Sequence, residues 1–229
     1  MRIAICIPTR GEMKAEFVRS LGNMLLRPLP DAEIRLLIQS GHVVTNRNLL
    51  FRQAVNMGVS HFLWLDDDHS FPDWALERLL SLKLPVVTVN QAIRASPTAP
   101  NSRIPSEDGK GERVYTTQEM ADERHVQQVA TTGLSLCLID MRILVKLAVQ
   151  ANKEGRELYP MFAHVPAADP SDDLSEDGFF FRRLREAGVN IFVDHWLSWE
   201  TRHISDRALT MQDTIDDREA FELLHKREA

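Results

Sequence analysis

The sequence predicts an α/β fold in which a mostly parallel central sheet is flanked by helices. Short apolar runs alternate with amphipathic segments over the first 90 residues. Continuously apolar runs are typical of parallel strands that are buried on both faces, and the intervening amphipathic segments of covering helices. The chain has 229 residues, of which 44% are hydrophobic, so it can bury the core of one such domain.

The first half of the chain contains four predicted strands and three predicted helices. Apolar residues recur at helical spacing in the helices, and Pro72 stands in a first turn, where a missing N–H costs nothing. The predicted strands cover residues 2–8, 34–38, 61–65 and 84–90, and the predicted helices cover residues 12–26, 46–57 and 72–82.

The second half begins with a polar, turn-rich segment, residues 94–128, which we interpret as an excursion over the sheet edge with a strand-like piece near 113–116. A helix over 175–187 is bounded by clear signals: Ser175 as its cap and Gly188 beyond its end. The remaining predictions are strands over 133–140 and 191–193, a helix over 141–151, a short aromatic segment at 159–162 and a charged amphipathic helix over 214–226.

Composition argues weakly against one class of function, without excluding a nucleic-acid acceptor held through a local patch. A net charge of −6 argues against a protein whose main task is to bind nucleic acid, because such proteins carry a basic face. Cys6 and Cys137 lie in apolar runs, which favours reduced core residues over a disulfide. There is no basic leader, and no apolar run approaches the roughly 18–20 residues that span a bilayer. We therefore expect a cytoplasmic protein without a membrane span.

Three adjacent carboxylates, Asp66, Asp67 and Asp68, follow the apolar run at 61–65 directly. In an extended segment alternate side chains point the same way, so Asp66 and Asp68 can share one ligand while Asp67 faces elsewhere. Divalent cations that bridge a diphosphate are bound in this way by one or two carboxylates. The alternative is a solvated acidic turn before the next helix.

A second acidic pair, Glu176 and Asp177, lies in the first turn of the helix capped by Ser175. The pair either stabilises the helix dipole or supplies a general base that deprotonates an acceptor hydroxyl. The same four letters, SEDG, occur at 106–109, but they are flanked by Pro105 and Gly111 and precede no apolar helix. We interpret that copy as a surface turn.

Three further positions can serve a binding site. His203 can complete a metal's coordination shell, although a lone histidine near a chain's end is more often a surface residue; we interpret His69, His164 and His195 as structural. Arg47 begins a predicted helix, where its charge opposes the dipole, so it either answers to an anion such as phosphate or is a surface arginine. The turn at 9–11 either meets a nucleotide or merely joins strand to helix.

Taken in order, these segments resemble the GT-A glycosyltransferases, particularly the small family-2-like bacterial and phage members. The likeness covers roughly residues 3–203, and no single piece of it is specific, whereas the ordered set is. It rests on IAICIPTRG, NRN, FLWLDDDHSFPDWALERLL, TTGLSLCLID, SEDGFFFRRLREAGVNIFVDHW and the late His203.

The resemblance implies a GT-A fold with a small antiparallel acceptor-side portion and a single catalytic domain over 1–204, followed by a helical tail over 205–229. Residues 1–93 would form the nucleotide-binding half, and residues 94–204 the acceptor half. It implies Mn²⁺ or Mg²⁺ bound by Asp66, Asp68 and His203, and Asp177 or Glu176 as the base. The implied contacts to the nucleotide sugar are Pro8, Thr9, Arg10, Gln39, Arg47 and Asp67; Gln39 stands where relatives carry an acidic residue.

The implied reaction is metal-dependent transfer of one sugar from a nucleotide-diphosphate sugar to an acceptor hydroxyl, with a glycan, a small molecule or a modified phage DNA base as the acceptor. A sugar-nucleotide pyrophosphorylase is an alternative, but such enzymes carry a glycine-rich loop after the first strand, and residues 8–13 contain one glycine. A metal-dependent phosphohydrolase or nuclease would place further ligands after strands one and two. A non-catalytic nucleotide- or sugar-binding module is the remaining class.

Overall fold

The computed structural model describes residues 1–106, 111–167, 173–205 and 208–226, which form a series of short strands and helices. The strands are β1 Arg2–Thr9, β2 Glu33–Ser40, β3 His61–Leu65, β4 His69–Ser70, β5 Val86–Thr88, β6 Arg103–Ile104, β7 Glu112–Arg113, β8 Val126–Val129, β9 Leu136–Asp140, β10 Ile191–Asp194, β11 Arg202–Ile204 and β12 Ala208–Leu209. The helices are α1 Ala15–Leu26, α2 Val43–Asn56, α3 Ala75–Ser81, α4 Gln118–Asp122, α5 Ile143–Lys153, α6 Glu176–Glu186, α7 His195–Glu200, α8 Met211–Asp216 and α9 Arg218–Lys226.

The central sheet is mostly parallel and flanked by helices, which confirms the predicted fold class. Its strand order in the described residues is β2-β1-β3-β9-β5-β10-β8. Strands β1, β2, β3, β5 and β10 run in one direction, whereas β9 is antiparallel to both of its neighbours and β8 is antiparallel to β10. The carboxyl ends of the five parallel strands therefore meet at one edge, where ligand sites of such sheets lie.

Alternate side chains of β3 pack against helices on opposite faces of the sheet. Phe62 and Trp64 pack into a core with residues of α2, α5 and α6, whereas Leu63 and Leu65 pack into a second core with residues of α1, α3 and α7. All four side chains are fully buried. A strand with no solvent-facing side is anchored firmly, so the acidic residues that follow it start from a fixed point.

A small antiparallel sheet, β12-β11-β4, lies beside the end of β3. The β11–β4 pairing sets His203 opposite His69, and the backbone N–H of Ile204 donates to the carbonyl of Asp68 at 2.7 Å. The pairing therefore brings residues from distant parts of the chain to the acidic triplet.

Several predicted boundaries in the first half of the chain were wrong. Helix α1 begins at Ala15, not at residue 12, and β5 is shorter than the strand predicted over 84–90. Helix α2 begins at Val43, not at residue 46, because the amide of Asn46 already donates to the carbonyl of His42 at 2.9 Å. Arg47 is thus inside the helix. Likewise, α3 begins at Ala75, after Pro72, whose carbonyl accepts a bond from the Ala75 amide at 3.2 Å.

The interpretation of 94–128 as an excursion needs a correction at its end. Val126–Val129 forms β8, an edge strand of the main sheet, instead of lying outside it. Its sequence, VQQV, lacks the continuous apolar run of a buried strand. In the structure Gln128 is exposed and Val129 is buried, as expected for an edge strand with one solvated face. Of the strand-like piece predicted at 113–116, only Arg113 lies in a strand, β7 Glu112–Arg113, which pairs antiparallel with β6.

The tail also differs from the single helix predicted over 214–226. Helix α8 begins at Met211 behind a capping box of Thr210 and Asp213, and the chain turns at Asp217 before α9. The carboxylate of Asp217 accepts a bond from the Thr98 amide at 2.8 Å, which fixes this turn against the body of the protein.

Cys6 and Cys137 are both free and buried, as predicted. Within the described residues no helix is long and apolar enough to cross a membrane. Most of the predicted surface turn at 106–109 lies outside the described residues.

Candidate functional site

A cavity of about 490 Å³ lies at the carboxyl ends of β1 and β3, between the first turns of α2 and α6. All of the site residues proposed from the sequence line it except Gln39, whose side-chain amide donates to the carbonyl of Ser40 at 3.3 Å. The cavity is lined by Pro8, Thr9, Arg10, Glu12, Lys14, Gly41, Val43, Asn46, Arg47, Asp66, Asp67, Asp68, His69, Gln91, Ile93, Arg94, Glu176, Asp177 and His203.

The turn after β1 is held rigidly on one side of the cavity. The carbonyl of Thr9 accepts bonds from the Gly41 amide at 3.0 Å and from the Asn46 side-chain amide at 3.1 Å. The Thr9 hydroxyl accepts a bond from the Gly11 amide at 3.1 Å. Because the backbone is fixed, the exposed side chain of Arg10 extends into the cavity from a defined position.

Asp68, His69 and His203 form a compact group, which we call the Asp–His cluster. One ligand atom from each residue lies within 4.8 Å of the others. The Asp68 Oδ1 lies 2.7 Å from His69 Nδ1, and its Oδ2 lies 3.6 Å from His203 Nε2. The two imidazole rings stack with centroids 4.2 Å apart. The β4–β11 register creates this arrangement.

Hydrogen bonding fixes the proton on one nitrogen of His203. Its Nδ1 lies 2.8 Å from the carbonyl of Ala92, and a carbonyl only accepts, so Nδ1 carries the hydrogen. In the neutral ring Nε2 then presents a lone pair to the Asp68 carboxylate. Two acceptors that face each other at this distance repel unless a proton or a cation lies between them.

His69 and Asp68 have ionisation states that suit a cation site. Burial lowers the pKa of His69, and its Nε2 is buried without a partner among the described residues. Burial opposes the ionisation of Asp68, but hydrogen bonds and charge from His69 and from His203, when its Nε2 carries the proton that lies between the two residues, hold the pKa of Asp68 well below the usual range. One carboxylate with imidazole nitrogens suits Mn²⁺ better than Mg²⁺, which prefers oxygen ligands. The residues present therefore fit a divalent metal ion.

Arg47, Asp66, Glu176 and Asp177 form a second group, the arginine cluster. The Arg47 guanidinium lies 3.1 Å from Asp66, 3.5 Å from Asp177 and 3.8 Å from Glu176, and its side chain is only 3% exposed. It also lies over the ring of Trp64, 5.3 Å from the centroid. The anions that Arg47 faces are thus the protein's own carboxylates, and Asp66 lies outside the Asp–His cluster.

Asp177 is placed by the start of α6. The Ser175 hydroxyl caps that helix by accepting a bond from the Gly178 amide at 3.2 Å, as the sequence predicts. The Leu134 amide donates to Asp177 Oδ2 at 3.2 Å, while Oδ1 is buried without a hydrogen-bond partner among the described residues. Burial raises the pKa of Asp177 to about 7, although the charge of Arg47 opposes the shift. A carboxylate with this pKa can accept a proton near neutral pH.

Among the cavity-lining residues to which the sequence analysis gave no role, three make contacts that shape the site. His69 was interpreted as structural, although its position directly after the acidic triplet was a usable signal. Asn46 is buried and holds the Thr9 turn, which the pattern of α2 does not reveal. Arg94 bonds to the Asp68 carboxylate, a contact across the fold that no local pattern predicts.

Comparisons with known proteins give similarity in structure only. No family model matches the chain, and no curated protein matches it. The structure of A197 from STIV has a TM-score of 0.55 at 18% identity, covering 93% of this chain and 92% of that one. The structure of GalNAc-T7 with UDP, GalNAc and Mn²⁺ has a TM-score of 0.50 at 13% identity, covering 94% of this chain and 47% of that one.

CMP:2-keto-3-deoxy-manno-octonic acid synthetase complexed with CTP is also similar, with a TM-score of 0.43 at 14% identity and all of both chains covered. The likeness to A197 and GalNAc-T7 establishes the GT-A-like fold and leaves the activity to be argued from the site. This chain spans about half of the GalNAc-T7 chain that it matches.

Proposed function

We propose that the protein is a metal-dependent glycosyltransferase that moves one sugar from a nucleotide-diphosphate sugar to an acceptor hydroxyl. One observation carries the proposal: a cation-fitting Asp–His cluster and a partly buried carboxyl group with a pKa of about 7, that of Asp177, line the same cavity. A diphosphate needs a positive partner at the first of these positions, and a hydroxyl nucleophile needs a base at the second. Resemblance of the ordered motifs to GT-A enzymes supports the same function.

The roles of the residues follow from their positions. Asp68 and His203 would bind Mn²⁺ or Mg²⁺, which when bound neutralises the charge that develops on the leaving diphosphate. His69 would orient the Asp68 carboxylate through the 2.7 Å contact to Oδ1. Asp66, placed on Arg47, would act in the arginine cluster instead of on the ion.

At the other side of the cavity, Asp177 would remove the proton of the acceptor hydroxyl as the sugar leaves the diphosphate. Arg47 lies 3.5 Å from Asp177 and would keep enough of that carboxyl ionised to act as a base. Glu176, 3.8 Å from Arg47, lies close enough to be the alternative base. Pro8, Thr9, Arg10 and Asp67 would contact the nucleotide.

The direct test is turnover of a panel of nucleotide-diphosphate sugars without added acceptor, since glycosyltransferases slowly hydrolyse their donors. We expect one donor to release its nucleoside diphosphate in the presence of Mn²⁺ and not with chelator. A sugar-nucleotide pyrophosphorylase would instead require added pyrophosphate and would form a nucleoside triphosphate. A binding module would show affinity for the donor and release nothing, and either of these outcomes contradicts the proposal.

A further inference from the structure

Arg94 follows β5 and is exposed, yet its side chain contacts a carboxylate of the Asp–His cluster. Its guanidinium Nη2 donates to Asp68 Oδ2 and, at 3.1 Å, to the carbonyl of Ile204. The side chain is 46% exposed and lines the cavity. Since His69 contacts the other oxygen, both oxygens of the Asp68 carboxylate have a partner.

The oxygen that Arg94 occupies is also the one that faces His203. His203 Nε2 lies 3.6 Å from Asp68 Oδ2, so an ion bound by both residues would need a lone pair of that oxygen. A guanidinium and a divalent cation repel each other at such a short separation. Binding of an ion between Asp68 and His203 therefore requires the Arg94 side chain to move away.

The backbone near Arg94 is held, so the motion would be confined to the side chain. The Ile93 amide donates to the carbonyl of Ala99 at 2.9 Å, and the Ala95 amide donates to the carbonyl of Ile93 at 2.9 Å. A half-exposed arginine on a fixed backbone can exchange one partner for another at little cost. The cavity that it lines is where a diphosphate would meet the metal ion.

We infer that Arg94 is a diphosphate-binding residue that occupies the metal-binding carboxylate of Asp68 until the ion arrives. This inference rests on the proposed function. The planar guanidinium matches phosphate oxygens with two parallel hydrogen bonds, and release from Asp68 makes those donors available. Arg94 thus opposes binding of the ion alone and favours binding of the ion together with a nucleoside diphosphate.

The test compares wild type, Arg94→Gln and Arg202→Gln in two binding measurements. Arg202 is the matched control: it is exposed on β11 and next to His203, but successive strand residues point to opposite sides. Titration with Mn²⁺ alone, monitored by the electron paramagnetic resonance signal of the free ion, should show that Arg94→Gln binds Mn²⁺ roughly fivefold more tightly than wild type. Calorimetry with UDP, GDP, ADP and CDP at saturating Mn²⁺ should show about 10- to 100-fold weaker binding of the preferred nucleotide.

The opposite signs separate this role from a structural one. If Arg94→Gln weakens both ligands, or changes neither relative to Arg202→Gln, the inference is overturned. Arg94→Lys keeps the charge without the planar fork and should fall between wild type and Arg94→Gln for the nucleotide. If wild type itself binds no Mn²⁺ and none of the four nucleotides, the proposed function fails, which is a different result from failure of the Arg94 variant.

Discussion

The Asp–His cluster and the arginine cluster occupy one cavity but treat their carboxylates in opposite ways. Asp68 faces two imidazoles, which hold its pKa below the usual range, so it stays ionised. The side chain of Asp177 is 21% exposed, but its Oδ1 is buried, and burial raises its pKa to about 7 even though Arg47 lies 3.5 Å away. The arginine cluster contains its own buried cation, whereas the Asp68 carboxylate contacts the half-exposed Arg94, and one ligand atom from each residue of the Asp–His cluster lies within 4.8 Å of the others.

The difference shows how one site can divide two tasks between similar side chains. A carboxylate that stays ionised suits a metal ion, and a carboxyl group that titrates near neutral pH suits proton transfer. Even within the acidic triplet the roles separate, since Asp66 belongs to one cluster and Asp68 to the other. The partners that surround each carboxylate, more than its position in the sequence, set its role.

Removal of the Asp68 carboxylate should have the largest effect. We expect Asp68→Ala to lower donor turnover by at least about 10³-fold, because the ion that stabilises the leaving diphosphate loses its acidic ligand. The residual rate should no longer depend on Mn²⁺. Assays across a Mn²⁺ titration would measure this, with exposed Asp31→Ala as the control. A variant that keeps Mn²⁺-dependent turnover would contradict the role of Asp68.

Asp177→Asn should lower transfer by about 10²- to 10⁴-fold and leave nucleotide affinity nearly unchanged. In wild type the rate should rise through about pH 7, because the base acts only when ionised. Because burial raises the folded-state pKa of Asp177, stability is lost as pH increases from the unfolded value near 3.8 to about 7, so the variant should be at least as stable as wild type at pH 8. Rate–pH profiles and urea unfolding check both points.

Glu176→Gln distinguishes the two candidate bases. It should keep most of the transfer rate and the same pH profile, since Asp177 would still accept the proton. If Glu176→Gln lost activity while Asp177→Asn kept it, the assignments within the arginine cluster would be reversed.

Arg47→Met should destabilise the fold by about 3–5 kcal/mol at pH 7.5, because it leaves the carboxylates of Asp66, Glu176 and Asp177 without their buried cation. Asp177, whose pKa burial raises to about 7, is protonated at pH 5.5, which removes one of the unpaired charges, so the loss should shrink there. Urea unfolding at the two pH values would show this. Arg52→Met, an exposed arginine on the same helix, is the control and should change little.

The smallest expected effect is at the start of α6, which places the arginine cluster's acidic pair. Ser175→Ala should lower the free energy of unfolding by about 1 kcal/mol, and Ser175→Gly by only a few tenths, because glycine is tolerated at this position. Thermal or urea unfolding of the two variants would separate them. Equal losses in both would indicate that the hydroxyl does not act as a cap.

Much of the fold was readable because local signals and burial agree. The bounds of β3 are as predicted, because the apolar run HFLWL stops at Asp66. The cap of α6 was also predicted, because serine is a typical N-cap residue. β8 was missed because edge strands carry polar residues. The predicted start of α2 was too late because the first residues of the helix do not show apolar residues at helical spacing. A local sequence pattern does not predict structure correctly where contacts with residues distant in the chain decide whether a side chain is buried or exposed.

The site was predicted in outline because acidic residues follow buried strands and parallel strands end at one edge. The partition of the acidic triplet was not predictable, since it depends on Arg47 reaching Asp66 and on the register that sets His69 beside His203. Both are contacts between segments far apart in the chain. The bond between Arg94 and Asp68 was unpredictable for the same reason, since it also joins separate segments of the chain.

Anomalous scattering at the manganese edge, from crystals soaked with Mn²⁺ and the nucleoside diphosphate that binds best, tests the central claim most directly. The account predicts one strong peak about 2.0–2.4 Å from an Asp68 oxygen and from His203 Nε2, with Asp66 still on Arg47. A peak within the arginine cluster, or none in the cavity under conditions where the nucleotide is bound, would contradict it.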